Sequence, residues 1–305
     1  MLRTALNRLG VSLLVMLAVS IIAFGLLRLS GDLAVEYAGE NASASELARV
    51  RAELGLDRTL QAQYADWAGA ALRGDFGRSL YTNEPVGRML IDGLAVTGRL
   101  AILSMMLALI FSLPLGMMAA RSPGSLIDRL VFGVIAIGQG IPSFLLAIIL
   151  LSLFAVRLGW LPASGSETLA HYALPTVTMA FAIAPALMRV VRTSTIDVLS
   201  SEYIETARGK QIGAARLLAV HALPNACLPM IGLVSVQFGQ LLAGSVVVEQ
   251  VFALDGVGRL ALSSIERLDF RVVQAIVLCL GAVYVVLTLI ADIAVMLIDP
   301  RLRRP

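Results

Sequence analysis

The chain has 305 residues, of which 58% are hydrophobic and only 15% charged. A water-soluble globule of this length needs more polar surface than that composition supplies, which makes the bilayer the main solvent. The formal net charge of +3 is no nucleic-acid footprint; it follows from where arginines fall between membrane segments.

A helix needs about 20 apolar residues to cross a hydrocarbon core of roughly 30 Å, and only helices or closed barrels satisfy their backbone groups there. Six charge-free runs have helical length: Leu9–Leu27, Leu100–Ala120, Leu130–Val156, Thr168–Met188, a stretch within Leu217–Val248, and Val272–Ile290. The expectation is an all-α integral membrane protein with six transmembrane helices. Its divisions are residues 1–29 (tail and first helix), 30–95 (extracytoplasmic insertion), 96–298 (five helices) and 299–305 (tail).

The first run follows Arg3 and Arg8 as a signal peptide would. Its 19 uncharged residues exceed a usual h-region and no A-x-A site follows, so it reads as a retained anchor. The next segment changes character: from Asp32 to Asp92 it holds ten acidic and six basic side chains. Ser43 and Glu46 have capping-box spacing, Leu47, Val50 and Leu54 follow at helical intervals, and Gly55 supplies a stop. Leu60, Tyr64, Trp67 and Ala71 mark a second helix. The pair reads as a small outer cap packed by its apolar stripes, with contact to an outside partner as the alternative.

Pro114, Pro142 and Pro229 put breakers inside spans, where neighbouring helices or cavity water must satisfy the freed carbonyls. Ser235, Gly239 and Ala243 form a small-residue stripe for close helix packing. The intramembrane glutamines Gln139, Gln237, Gln240 and Gln274 either line a path for a polar solute or hydrogen-bond between helices. Glu249, Asp292, His171 and His221 lie near span ends, which counts against an ion-coupled transporter with midplane carboxylates or histidines. No nucleophile, base or metal set converges as an intramembrane enzyme would require. Cys227 and Cys279 lack metal-ligand spacing and read as packing residues.

Arginines and the single lysine set orientation. With the N-terminus inside, the inner set is Arg3, Arg8, Arg121, Arg129, Arg189, Arg192, Arg208, Lys210, Arg216, Arg301, Arg303 and Arg304, and the short outer loops hold Arg157, Arg259, Arg267 and Arg271. Both termini are therefore expected inside (N-in/C-in).

The inner loop from Arg189 to Leu223 has at its core SEYIETARGKQIGAARLLAVHALPNA, Ser201 to Ala226. Ile204, Ala207, Gln211, Ala215, Leu218 and Ala222 fall near one helical face, with Glu202, Glu205, Arg208, Lys210 and Arg216 on others. Gly209 and Gly213 break it into two short helices. Mixed charge and small residues favour a groove on a protein partner over the lipid surface, which selects basic faces and large apolar residues.

The order Glu205-Thr206-Ala207 and then Leu223-Pro224 resembles the E-A-A loop of bacterial binding-protein-dependent importers. The family's glycine would fall at Gln211, with Gly209 or Gly213 supplying the turn instead. Further landmarks resemble the dipeptide, oligopeptide and nickel permeases, in the subunit type with a long first periplasmic segment: LGLDRTLQAQY from Leu54, GDFGRSL from Gly74, IPSF from Ile141, GWLPASG from Gly159, VVVEQVFALDGVGRL from Val246 and ADIAVMLIDPRLR from Ala291. Asp255 stands where the family usually has proline.

That resemblance implies a type I ABC importer permease fold in the bacterial cytoplasmic membrane, with a coupling loop over 193–224 that docks on an ATPase through Glu202, Glu205 and Arg208. It implies a homologous second permease, two ATPase subunits and an extracytoplasmic solute-binding protein, with short peptides as cargo and nickel or a metal chelate as the alternative. The chain is expected to bind no cofactor or metal, ATP and magnesium belonging to the ATPase. Consistent with this, a G-x-x-x-x-G-K-[ST] phosphate loop is absent, since Lys210 is followed by Gln211.

Overall fold

The computed structural model describes residues 2–29, 33–39, 42–53 and 55–298. Leu54 and the tail 299–305 with its three arginines lie outside the described residues, as does the side chain of Ala215. Among the described residues, five helices are long and apolar enough to cross a membrane: α1 (Leu2–Leu29), α5 (Val86–Arg121), α8 (Leu169–Leu199), α12 (Leu228–Val251) and α14 (Phe270–Ile298). A bent pair supplies the sixth where it forms one span. α6 (Leu126–Gly140) and α7 (Ser143–Leu150, continued by wider π turns over Leu151–Arg157) meet at 97° across Ile141 and Pro142. Between α1 and α5 lie α2 (Leu33–Ala38), α3 (Ala44–Glu53) and α4 (Leu60–Leu72).

The three prolines behave differently from one another. Pro142 sits at the bend because it has no N–H to continue α6 and disfavours helical backbone in the residue before it. Pro229 lies in the first turn of α12, where its missing donor would be unpaired anyway. Pro114 does not break its span: α5 runs through it, as α8 runs through Pro175 and Pro185.

The chain divides into two compact units. The first comprises Met1–Ala5, Ala95–Arg259 and Leu287–Pro305. Its centre is α8, whose apolar window is 61% buried, with α6, α7 and α12 packed on it. Gly138 is required at the α6 contact, because a Cβ there would lie 2.6 Å from the Pro185 ring. The Ser112 hydroxyl donates to the Ala184 carbonyl, tying α5 to α8.

The second unit comprises Leu6–Leu94 and Leu260–Val286. In it the Ser43 hydroxyl accepts the Glu46 N–H, and Gly55, at φ +63°, ends the α3 turn with Leu56 N–H returning to the Arg51 carbonyl. Thr59 caps α4 by accepting the Ala62 N–H. Tyr64 and Trp67 of α4 pack on Phe24 of α1 with centroids 5.4 and 5.7 Å from it, and Ser20 shares a 2.7 Å hydrogen bond with the Tyr64 hydroxyl. Of the apolar stripe read from the sequence, Tyr64 and Trp67 thus meet the end of the first span, while Leu60 stays exposed.

Candidate functional site

The loop after α8 folds as a helical hairpin. α9 (Glu202–Gly209) is followed by a turn and then by α10 (Ala214–Arg216), π turns over Leu217–Ala222, and α11 (Leu223–Ala226). Glu202 and Glu205 stand in the first turn of α9 and Arg208 in its last, each sign at the end of the helix dipole that favours it. Ile204, Ala207 and Leu217 form a small core, with Val198, Leu199 and Ile212 against it. Glu202, Glu205, Thr206, Arg208, Gly209 and Lys210 stay exposed. Asn225 Nδ2 donates to the Tyr203 hydroxyl at 2.8 Å, tying α9 to α11.

Two expectations for this loop need correction. The turn is made at Gln211, which adopts φ +56°, while Gly209 ends α9 and Gly213 caps α10 with an ordinary φ of −58°. Gln211 therefore takes the left-handed conformation itself at the position where the family has glycine. Gln211 is consequently exposed, and Leu217 is the side chain of the second arm that buries against Ile204 and Ala207. The turn over 210–213 interrupts the helix between the arms, so a constant 3.6-residue period cannot be carried across it. Leu223 is half-buried and Pro224 exposed, in the first turn of α11 where its missing N–H costs no bond.

The glutamines do not share one environment. Gln237 is buried and its amide donates to the Ile183 carbonyl of α8 at 3.5 Å, the interhelical role. Gln139 is exposed and accepts from Arg189 at 2.7 Å, and Gln240 is exposed.

Two buried polar arrangements escaped the sequence reading. Asp128 on α6 takes a two-pronged grip from Arg192 on α8, at 2.6 and 2.9 Å, with side-chain exposures of 6% and 18%. It also accepts the Gly124 N–H, and Arg192 lies over the Phe132 ring. The serine three residues ahead of it, Ser125, which accepts the Asp128 N–H, was the local signal.

The second centres on Glu249, near the end of α12 and wholly buried. Its Oε1 accepts from the Thr97 hydroxyl of α5 at 2.7 Å, and its Oε2 accepts the Arg259 N–H of α13 (Val257–Glu266) at 2.9 Å. Thr97 in turn accepts the Val257 N–H at 2.9 Å, so one carboxyl group and one hydroxyl clasp three helices. A Cβ on Gly256 would lie 2.4 Å from the Glu249 carboxyl carbon, and one on Gly258 would lie 2.7 Å from Val246 Cα. The G-x-G of the VVVEQVFALDGVGRL string is therefore the space the carboxylate occupies. Asp255 forms a 2.9 Å ion pair with Arg259 across the same exposed turn.

A polytopic helical bundle with a charged, broken helix between its last spans and no nucleotide-binding loop has the make-up of a membrane permease subunit. Residues 112–304 match the binding-protein-dependent transport system inner membrane component, and residues 1–101 match the N-terminal family of such membrane components. The chain belongs to this family and is a multi-pass inner-membrane permease subunit of an ABC importer. ATP hydrolysis lies on a separate subunit, and the family works with an ATPase and a solute-binding protein.

The chain is 36% identical over 307 residues to a probable peptide ABC transporter permease of Sinorhizobium fredii, covering 98% of each. It is also 36% identical over 304 residues to the glutathione transport system permease protein GsiC of Salmonella typhimurium, covering 99% of each, and 38% identical over 275 residues to the GsiC of Escherichia coli K12, covering 90% of each. Its fold is shared with the MetNI methionine ABC transporter in an inward-facing form: TM-score 0.59 at 18% identity, over 69% of this chain and 96% of that one.

Proposed function

We propose that this chain is one half of the pore of an importer for short peptides, delivered from outside by a solute-binding protein. The peptide assignment rests on the relatives, which are named for peptide and glutathione transport. Six spans are few to enclose a peptide-sized path, so a homologous second permease completes it, with two ATPase subunits holding ATP and magnesium. Both termini lie inside, as the arginine distribution requires.

The observation that carries the mechanism is α9. Its apolar face is anchored on Leu217 while Glu202, Glu205, Thr206 and Arg208 remain exposed. A helix held on one side and charged on the other suits a cleft on the ATPase; closure of the ATPases then moves the spans as bodies and switches access from outside to inside. Glu205 and Arg208 are contacts here, with no catalytic role.

The test is ATPase and uptake of the reconstituted complex with radiolabelled di- and tripeptides, glutathione and a nickel chelate. Glu205→Arg with Arg208→Glu is expected to lower peptide-stimulated ATPase roughly tenfold or more while the complex still unfolds normally. Unchanged coupling would remove α9 from the ATPase interface. Uptake of the nickel chelate with no response to any peptide would overturn the cargo.

A further inference from the structure

The helical insertion does more than cap the second unit. It walls a half-open cavity of about 570 Å³. One wall is a single stripe of α4, Gln63, Asp66, Trp67 and Ala70; another is the end of α3 and its turn, with Ala52, Glu53, Gly55, Leu56 and Arg58. The turn at Asp75–Gly77 closes a third side, and Phe24 of α1 with Arg271, Gln274 and Ala275 of α14 forms the floor.

Three features say what would fit. First, the walls carry both signs, an Arg58–Asp66 ion pair together with Glu53, Asp75 and Arg271, which suits a dipolar ion better than a simple one. Second, Gln274 is 6% exposed and its Nε2 has no hydrogen-bond partner among the described residues. A buried donor left unmade is costly, so the floor lacks an oxygen acceptor. Third, the rings of Trp67, Phe24 and Tyr64 cluster within 6.0 Å of one another, a surface that takes an ammonium group against its π face.

The cavity also has a definite depth. Phe24 ends the first apolar window, Arg8–Gly25, and Gln274 lies in the first turns of the last one, Phe270–Ala294. Floor and aromatic wall therefore lie at the ends of these two apolar windows, the part of a span where tryptophan and tyrosine concentrate and headgroups are met.

We infer that this cavity is a binding site for a small zwitterion, its oxygen acceptor on the Gln274 amide beside Arg271 and its ammonium toward the acidic and aromatic wall. Two sources carry that chemistry at this depth: a phosphatidylethanolamine headgroup and a short peptide. The peptide source rests on the import reading above; the lipid source does not.

The experiment uses the assembled transporter in lipid nanodiscs with two photoreactive probes, a diazirine dipeptide and a diazirine phosphatidylethanolamine, and maps the labelled residues by mass spectrometry. At least one probe is expected to label residues 52–77 or 271–275, be displaced by its unlabelled counterpart, and lose labelling roughly fivefold or more in Gln274→Leu. Ala70→Trp, which fills the cavity without touching Gln274, is expected to block labelling as well and serves should Gln274→Leu fail to assemble. Dipeptide labelling alone identifies a peptide subsite, and lipid labelling alone a headgroup site that stands even if peptide import fails. No labelling in these segments, or labelling indifferent to both substitutions, overturns the inference.

Discussion

The Glu249 clasp can be tested by a double-mutant cycle with Thr97. Thr97→Val keeps the side-chain volume and deletes the hydroxyl, leaving Glu249 Oε1 without its donor and the Val257 N–H without its acceptor. Each orphaned buried group costs about 1–3 kcal/mol, so this variant, with two of them, is expected to lose roughly 2–6 kcal/mol. Glu249→Gln puts an NH₂ where one carboxyl oxygen stood. Facing Thr97, the amide nitrogen donates to the hydroxyl oxygen and only the hydroxyl proton is stranded; facing α13 it would oppose the Arg259 N–H. The first arrangement is cheaper, at about 1–2 kcal/mol. With Thr97→Val already present that hydroxyl proton is gone, so the double variant is expected to be about 1 kcal/mol more stable than the summed losses predict. The assay is denaturant unfolding in mixed micelles, followed by helical circular dichroism. Additive losses, or two single variants as stable as the parent, would refute the clasp.

At the α6–α8 contact, Asp128→Ala strands the Arg192 guanidinium and is expected to cost about 3–5 kcal/mol; Arg192→Lys keeps the charge but not the two-pronged grip, costing about 1–2 kcal/mol. Both are read by the same unfolding assay, and equal losses would show that charge alone matters. Gln211→Gly relieves the left-handed backbone at φ +56° and is expected to stabilise the α9 turn by about 0.5–1 kcal/mol, seen as stronger amide-exchange protection from Lys210 to Gly213. Gly138→Ala drives a methyl into the rigid Pro185 ring and is expected to destabilise by about 1–3 kcal/mol, with a lower melting temperature as the check.

Where a feature is local, the sequence showed it. Ser43 and Glu46 placed the start of α3, Gly55 its end, and the stripe through Tyr64 and Trp67 located α4. The spans were legible because hydropathy is a property of contiguous residues. What α4 encloses was not, since the cavity floor comes from α14, about 200 residues away along the chain. The α9 hairpin lies between these cases: glycines next to the turn drew attention, yet the backbone bends at Gln211, because a polar residue in a surface loop tolerates a strained φ that packing elsewhere holds in place.

Glu249 shows the limit most sharply. In a hydropathy reading, a carboxylate near the end of an apolar run only marks where the span stops. Its oxygens are satisfied by groups 152 and 10 residues away, and no periodicity encodes the first of these. What the sequence did carry was the string around it, VVVEQVFALDGVGRL, whose glycines stand seven and nine positions after the glutamate. Those glycines make sense only with the carboxylate in place, since a Cβ at Gly256 would overlap it. The carboxylate in turn is affordable in a membrane only with the Thr97 hydroxyl and the Arg259 N–H donating to it, Thr97 itself being held by the Val257 N–H of the same turn. Neither half is stable alone, so the string is a single device fixing α5, α12 and α13 to one another, and a substitution in either glycine should reproduce the defect of losing the glutamate.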